Sequence, residues 1–337
     1  MINNILIFRT DRIGDLLVSC PTILTIKNSI KNSNITLISS EKNYEYAKSL
    51  NLFNRIYKFP SKNLFTKILF IFFLIREKFD YVFVFDGKER SILTSCFIRS
   101  KYKVALTPKI SFFYKIFSIK FFLDDEKGTL NDIFQNFLTH CNINTKITNF
   151  NFLKNKSNNN FSKLIEIKKY LHIHLDEKWF SNIYIKNYTD ISPRYSEFTE
   201  FLSIISQKYD ILITTGLVNF DLIDQLKNKY FDRIDNKIYI KREKNKSIYL
   251  IYKPTFEDLE SLLRNSTTLV ACHGAITHAA NSFGIKKIDI FEKSRSNFYK
   301  RFTSHLDDYY PTFRSRFNIL KEEIYEKIFS TNKYTIN

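Results

Sequence analysis

Short apolar runs of strand length recur along this chain, and longer stretches with helical spacing lie between them. That alternation predicts βαβ units around a mainly parallel sheet, because parallel neighbours need a crossover and a helix is the usual one. In the first half, strands are expected at 4–9, 35–39, 55–59, 81–85 and 103–106, with helices at 15–30, 41–50 and 64–78. A polar stretch from Lys154 to Asn160 interrupts the pattern and reads as a solvated linker. The alternation then restarts, with strands expected at 170–175, 211–214, 247–252, 268–271 and 287–291. Two Rossmann-like domains follow, 1–156 and 161–337. A chain of 337 residues, 44% hydrophobic and 26% charged, is large enough for two cores and has an ordinary globular balance.

Only six glycines occur, and Gly14, Gly87, Gly216 and Gly274 stand at or just after the end of an expected strand. Open α/β sheets bind ligands outside the carboxyl ends of their strands, where backbone turns sharply or approaches closely. Neither a G-x-G-x-x-G fingerprint nor a G-x-x-x-x-G-K-[ST] loop is present, so dinucleotide-binding and P-loop readings lose their best support.

Three segments at such strand ends carry chemistry. Arg9-Thr10-Asp11-Arg12-Ile13-Gly14-Asp15 follows the first strand and opens a helix. Asp15 at a helix N-terminus is favoured in its ionised form, as a general base for a sugar hydroxyl requires, although a plain helix cap would look the same. Val270 to Asn281 runs from a strand through the small-residue turn His273-Gly274-Ala275 into a helix. Such a turn aims backbone N–H groups of Gly274, Ala275 and Ile276 at an anion such as a diphosphate, and Thr277 offers a hydroxyl. His273 on the turn is better placed to touch a ligand than His278 within the helix. In His172-Ile173-His174-Leu175-Asp176-Glu177-Lys178-Trp179, Lys178 suits the charge of a departing nucleotide. His172 and His174 share a strand face, yet no third ligand stands at metal-site spacing.

A net charge of +18 is compatible with polyanions or anionic lipid, and equally with an AT-rich coding bias, which enriches Lys, Asn, Ile, Phe and Tyr together. The stretch 90–123 has no acidic residue and mixes Arg90, Arg99, Lys101, Lys103, Lys109, Lys115 and Lys120 with Phe112, Phe113, Tyr114, Phe117, Phe121 and Phe122. That mixture suits a glycolipid or membrane interface, or a buried aromatic face beside a solvated basic one. No RNP, KH or zinc-finger pattern accompanies it, so no nucleic-acid partner is expected. Cys20, Cys96, Cys141 and Cys272 are scattered without a framework, which fits a reducing cytoplasm. The run from Ile68 to Ile75 falls far short of the roughly 20 residues that span a bilayer. The first apolar run stops at Arg9 and reads as a strand, not a signal segment.

Together these segments carry a resemblance to glycosyltransferase family 9, the lipopolysaccharide heptosyltransferases. Gly14-Asp15 is similar to the Gly-Asp pair after that family's first strand. Asp80 to Ser91 resembles its strand and turn with D-x-Q-G-x-x-K-S, Asp176 to Trp179 its acidic-acidic-Lys-aromatic segment, and His273 to Gly284 its D-T-G-P turn and helix. The resemblance implies a GT-B fold, two Rossmann-like domains facing a cleft, with an acceptor-binding N-terminal and a donor-binding C-terminal domain. It implies metal-independent inverting transfer from a nucleotide-diphosphate sugar, with no cofactor, onto a lipopolysaccharide-type or other anionic glycan or glycolipid.

On it Asp15 is the base, Lys178 and the Gly274–Thr277 turn hold the donor diphosphate, His273 lies near the donor sugar, and Arg9, Arg12, Gly14, Asp86 and Lys88 are on the acceptor side. His273 replaces the family's Asp and Ala275 its Gly, a departure at the donor sugar. The expected location is cytoplasmic, with peripheral contact at the inner membrane left open. Alternatives are another GT-B enzyme such as a nucleotide-sugar epimerase, or a non-catalytic glycan- or nucleic-acid-binding protein.

Overall fold

The computed structural model of the chain describes residues 2–60, 63–107, 120–123, 128–156, 161–243 and 245–329, with 120–123 as backbone only. The chain divides into two compact units, Met1–Lys156 with Lys300–His305, and Ser157–Tyr299 with Leu306–Asn337.

In the first unit, β1 (Asn3–Arg9), α1 (Ile13–Ser29), β2 (Ser33–Ser39), α2 (Tyr44–Ser49) and β3 (Arg55–Lys58) alternate in order. Then come α3 (Leu64–Arg76), β4 (Phe79–Val84), α4 (Glu89–Phe97), β5 (Ser100–Thr107), β6 (Lys120–Leu123) and α5 (Leu130–His140). The six strands are all parallel, in the order β3-β2-β1-β4-β5-β6. β1 is central, pairing Ile5 with Ile35 of β2 on one side and Tyr81 of β4 on the other. Its Ile5, Leu6, Ile7 and Phe8 are fully buried, which is why the strand reads as a continuous apolar run: helices cover both faces of a parallel sheet. The order reverses between β1 and β4, and there the ends of both strands leave a crevice.

The second unit contains β7 (Tyr170–Leu175), α6 (Tyr195–Ser206), β8 (Ile211–Thr215), α7 (Asp221–Gln225, extended by a π-helical turn at Leu226–Tyr230), β9 (Asp232–Arg233), β10 (Ile238–Glu243) and β11 (Lys246–Ile251). It continues with α8 (Phe256–Leu263), β12 (Ser266–Cys272), α9 (Ala275–Asn281), β13 (Lys286–Phe291), α10 (Ser296–Thr303), β14 (Tyr309–Phe313) and α11 (Phe317–Phe329). Its sheet runs β14-β13-β12-β7-β8-β11-β10-β9. From β14 to β11 the strands are parallel and repeat the first unit's order, with β7 and β12 at the reversal. β10 and β9 extend that edge antiparallel. A core of Ile173, Leu175, Trp179, Phe198, Phe201 and Phe317 packs α6 and α11 against the sheet.

Every strand expected from the sequence is present, with ends shifted by a few residues. β6, β9, β10 and β14 were not anticipated. β10 alternates buried Ile238 and Ile240 with Tyr239 and Lys241 and ends in charged residues, a half-covered edge pattern rather than a buried run. Of the basic and aromatic stretch, Lys109, Lys115, Phe112, Phe113, Tyr114 and Phe117 lie outside the described residues, as do the side chains of Lys120, Phe121 and Phe122. Of the described cations there, Arg90 donates to the Thr10 hydroxyl at 3.1 Å, Lys101 pairs with Asp80 at 2.8 Å and Lys103 donates to the Cys96 carbonyl at 3.0 Å, while Arg99 is exposed. Of the linker expected from Lys154 to Asn160, Lys154 and Asn155 belong to a short 3-10 turn, Phe152–Asn155, and 157–160 lie outside the described residues. No described helix is long and apolar enough to cross a membrane.

Candidate functional site

In the first unit, the loops after β1 and β4 are laced together at the sheet reversal. Asp86, just past β4, accepts from the Thr10 amide at 3.1 Å, the Thr10 hydroxyl at 2.6 Å and the Ser91 hydroxyl at 2.7 Å. Its other oxygen accepts from the Lys88 amide at 3.1 Å. Lys88 donates to the Thr10 carbonyl at 2.8 Å and pairs with Asp11. Arg9 is buried, donating to the carbonyls of Phe85 at 2.7 Å and Asp15 at 3.0 Å and pairing with Asp11 at 3.2 Å. Asp86, Lys88 and Arg9, read from the sequence as acceptor-side residues, are therefore first of all the struts of this crevice. Charge-assisted bonds of this kind hold a loop in one geometry.

Asp15 sits in the first turn of α1, behind Gly14. One carboxylate oxygen accepts from the Arg12 amide at 3.1 Å, closing the helix end. The other lies 4.0 Å from Arg9, and the side chain keeps 41% of its exposure. Arg12 is the exposed residue before the helix. Asp15 borders a cavity of about 230 Å³ with Arg9, Asp11, Asp86, Thr107 and Arg301, the last from the segment that groups with this unit. The cap and a reachable carboxylate coexist in one residue.

In the second unit, β7 and β12 bring the two other segments together. Asp176 follows β7 and pairs with Lys178, whose own amide it also accepts at 3.1 Å; His174 stands 3.5 Å away. Burial alone would raise the Asp176 carboxyl, but the cation of Lys178 and the bond from His174 outweigh it and hold it at about 2. The Lys178 ammonium shows the mirror effect: burial opposes its charge, and Asp176 pushes its pKa up. Lys178 thus stays charged, but in an ion pair, which lessens its pull on a diphosphate relative to a lone cation.

A Cβ on Gly274 would lie 3.3 Å from the Lys178 ammonium, so the glycine lets that side chain run directly beneath the turn. Arg314, past β14, was missed from the sequence because nothing local marks it. Its buried guanidinium donates to the carbonyls of Lys178 and Thr189, clamping this corner from below.

Thr277, expected to offer a hydroxyl to a diphosphate, is buried and donates that hydroxyl to Asp289 at 2.8 Å. The amides of Ala275 and Ile276 open α9, where helix geometry leaves N–H groups without intrahelical acceptors. Asp289, in the middle of β13, also accepts from the Tyr309 hydroxyl at 2.8 Å and engages His273 Nδ1 at 2.7 Å. Its carboxylate orients the imidazole from behind, and the ring packs against Tyr299 at 4.7 Å. Asp289 was also missed, because an aspartate inside an apolar strand looks like an exception until its three partners are seen.

His172 is spent on the core, and His174 links it to Asp176. Both meet the Thr214 hydroxyl, at 2.8 and 2.9 Å, and His172 also meets Ser266 at 3.2 Å. Burial pushes His172 well below the ordinary imidazole range. Among the described residues no cluster of three His, Cys, Asp or Glu could hold a metal ion. Burial also raises the Cys272 thiol. A second cavity, of about 560 Å³, opens beyond the β7 and β8 ends between Phe180, Asn182, Tyr195, Asn219, Phe220 and Asp221, in the size range of ligand pockets.

No family model matches the sequence, and no curated protein does. Among solved structures, the chain is similar to a glycosyl transferase family 9 protein from Veillonella parvula, with a TM-score of 0.64, 12% identity, and coverage of 98% of this chain and 90% of that one. It is similar to E. coli heptosyltransferase WaaC with ADP-2-deoxy-2-fluoro heptose, with a TM-score of 0.69, 10% identity, and coverage of 96% and 98%. It is also similar to the UDP-GlcNAc 2-epimerase of Methanocaldococcus jannaschii, with a TM-score of 0.55, 15% identity, and coverage of 97% and 92%. At such identities the likeness is one of fold, and the chain has the GT-B fold of two Rossmann-like domains.

Proposed function

We propose that the chain is a glycosyltransferase that moves a sugar from a nucleotide-diphosphate donor to a glycan acceptor, with the first unit receiving the acceptor and the second the donor. The observation that carries this reading is Asp15: a half-exposed carboxylate held by the α1 cap, bordering a cavity that the first unit builds by itself. A base there acts on a hydroxyl that is not part of the nucleotide sugar, as a two-substrate reaction needs. An epimerase would instead use its base on a C–H of the nucleotide sugar itself, and product analysis separates the two reactions.

Ala275 and Ile276 supply amides to the donor diphosphate, with Lys178 beneath Gly274 as the charge that steadies the leaving nucleotide. Asp289 only accepts hydrogen bonds, so Nδ1 of His273 donates to it and Nε2 is left to meet a donor-sugar hydroxyl. A histidine rather than a carboxylate at that point selects a sugar other than the heptose of the resembling family.

Purified protein is screened by thermal shift against ADP-, GDP-, UDP- and CMP-sugars, and products of the stabilising donor are followed by NMR. Nucleoside diphosphate released only with a glycan acceptor supports transfer. An inverted donor sugar without release would establish epimerisation instead, and binding with no product would leave a recognition protein.

A further inference from the structure

α3 covers its sheet with only one side. Leu74 is buried, and Phe70 and Phe73 pack edge-on to Phe59 and Tyr57. Leu64, Phe65, Ile68, Leu69, Phe72 and Phe73 nevertheless keep between 41% and 72% of their exposure. Their spacing repeats every four residues, so they form one stripe along a helix of about 20 Å. On α4, which packs beside α3, Leu93 and Phe97 are exposed at the same spacing. These two helices hold 8 of the 18 large apolar residues exposed among the described residues, which makes a patch rather than the scatter normal on a soluble surface.

The charge around this face identifies what covers it. The first unit has 26 Lys and Arg against 12 Asp and Glu, a net charge of +14, while the second has 26 against 22, only +4. A coding bias alone would not distribute the charge so unevenly between two units of similar size. Lys67 lies within α3 and exposed Arg76 and Lys78 flank its end; of the acidic residues nearby, Glu77 is paired with Arg55 at 3.3 Å, and exposed Glu89, which opens α4, is followed by Arg90. Docking the face onto a second copy would bring two such units together against their mutual repulsion, whereas an anionic lipid surface complements both the apolar stripe and its basic surround.

We propose that α3, with the exposed edge of α4, inserts shallowly into the headgroup region of an anionic membrane and anchors the first unit there as a monotopic element. The helix is far too short to span, so it lies in the interface plane. This assignment is independent of the reaction: it requires only lipid, and holds or fails whether or not transfer is found.

The test uses the full-length protein with vesicles of phosphatidylcholine alone or mixed equally with phosphatidylglycerol. Wild type is expected to partition onto the anionic vesicles and to retain part of that binding in about 1 M salt, where screening shrinks to about 3 Å. L69E/F72E, at exposed positions, is expected to bind at least about tenfold more weakly with an unchanged thermal transition.

A second variant, Phe72→Trp, adds a reporter that insertion should shift to the blue on anionic vesicles; the only native tryptophan, Trp179, is fully buried in the second unit. The proposal is overturned if wild type does not bind anionic vesicles, if L69E/F72E binds them as wild type does, or if the emission of the Phe72→Trp reporter does not move. A wild-type dimer in light scattering that L69E/F72E dissociates, without vesicle binding, would make the face a self-interface and also overturn it. Should L69E/F72E fold poorly, the Phe72→Trp emission decides.

Discussion

Asp15 is asked to do two things, and one substitution separates them. Asn keeps an oxygen that accepts from the Arg12 amide, so the α1 cap persists, but it cannot take a proton. Asp15→Asn is therefore expected to lower kcat by roughly 10²-fold or more, with donor affinity and thermal stability near wild type. Near-full turnover in a transfer assay would remove Asp15 from the reaction.

Lys287 gives a residue-scale prediction for stability. It is fully buried in β13, with its ammonium donating to the Ile285 carbonyl at 2.7 Å, and burial brings its pKa down to about 8 although Asp308, Asp307 and Asp289 act the other way. Below pH 8 both folded and unfolded chains carry the proton, and folding bears the cost of burying the charge. Between pH 8 and about 10.5 the folded chain releases its proton first, so stability rises with pH by as much as about 3 kcal/mol. Lys287→Met is expected to flatten that rise and, after losing the bond to Ile285, to gain about 1–2 kcal/mol at pH 7. Denaturant unfolding of both proteins from pH 7 to 10 measures it, and an undiminished rise in the variant would place the titration elsewhere.

At the scale of elements, the corner formed by β7, β8 and β12 depends on close approach of backbones. A Cβ on Gly216, just past β8, would lie 2.7 Å from the Asp176 Cβ and 2.9 Å from a Glu177 carboxylate oxygen. Gly216→Ala must push the Asp176–Lys178 turn aside, at a cost of about 1–3 kcal/mol. Because that turn holds Lys178 under Gly274, donor binding should weaken more than the loss of stability explains. A thermal shift by the best nucleotide sugar, unchanged from wild type in the variant, would show that the turn does not serve the donor. Gly216 was legible as a strand-end glycine, but its reason was not, since the atoms it makes room for are forty residues away in sequence.

For the whole molecule, the proposed chemistry assigns to fixed cations what many transferases assign to a divalent ion. Lys178, kept charged by Asp176, stands beneath the donor turn, with Arg314 clamping its backbone from behind. Transfer is expected to survive exhaustive EDTA treatment, with kcat changed by less than about twofold, because the stabilising charge is part of the chain. Activity lost to EDTA and restored by Mg²⁺ or Mn²⁺ would give that role to a metal. The uneven charge of the two units, +14 and +4, also implies that salt will act on whatever the first unit binds far more than on the donor.

The sequence by itself determined the inner parallel strands of both sheets, but not β6, β9, β10 or β14 at their edges. Runs such as Ile5–Phe8 fit strands buried on both faces, as in a parallel sheet covered by helices, and their alternation with helical stretches points to two Rossmann-like units. It also located the loops that matter, because strand ends are local features and glycines mark them. Tertiary structure alone decided what the polar residues in those loops do. Arg9 and Asp86 turned inward as struts, Thr277 was taken by Asp289, and Lys178 was paired by Asp176, each through a partner that folding supplies and spacing does not reveal. The same holds for α3: its apolar run was legible as a helix too short to span a bilayer, and only packing on one side of the sheet leaves a face for something else to cover.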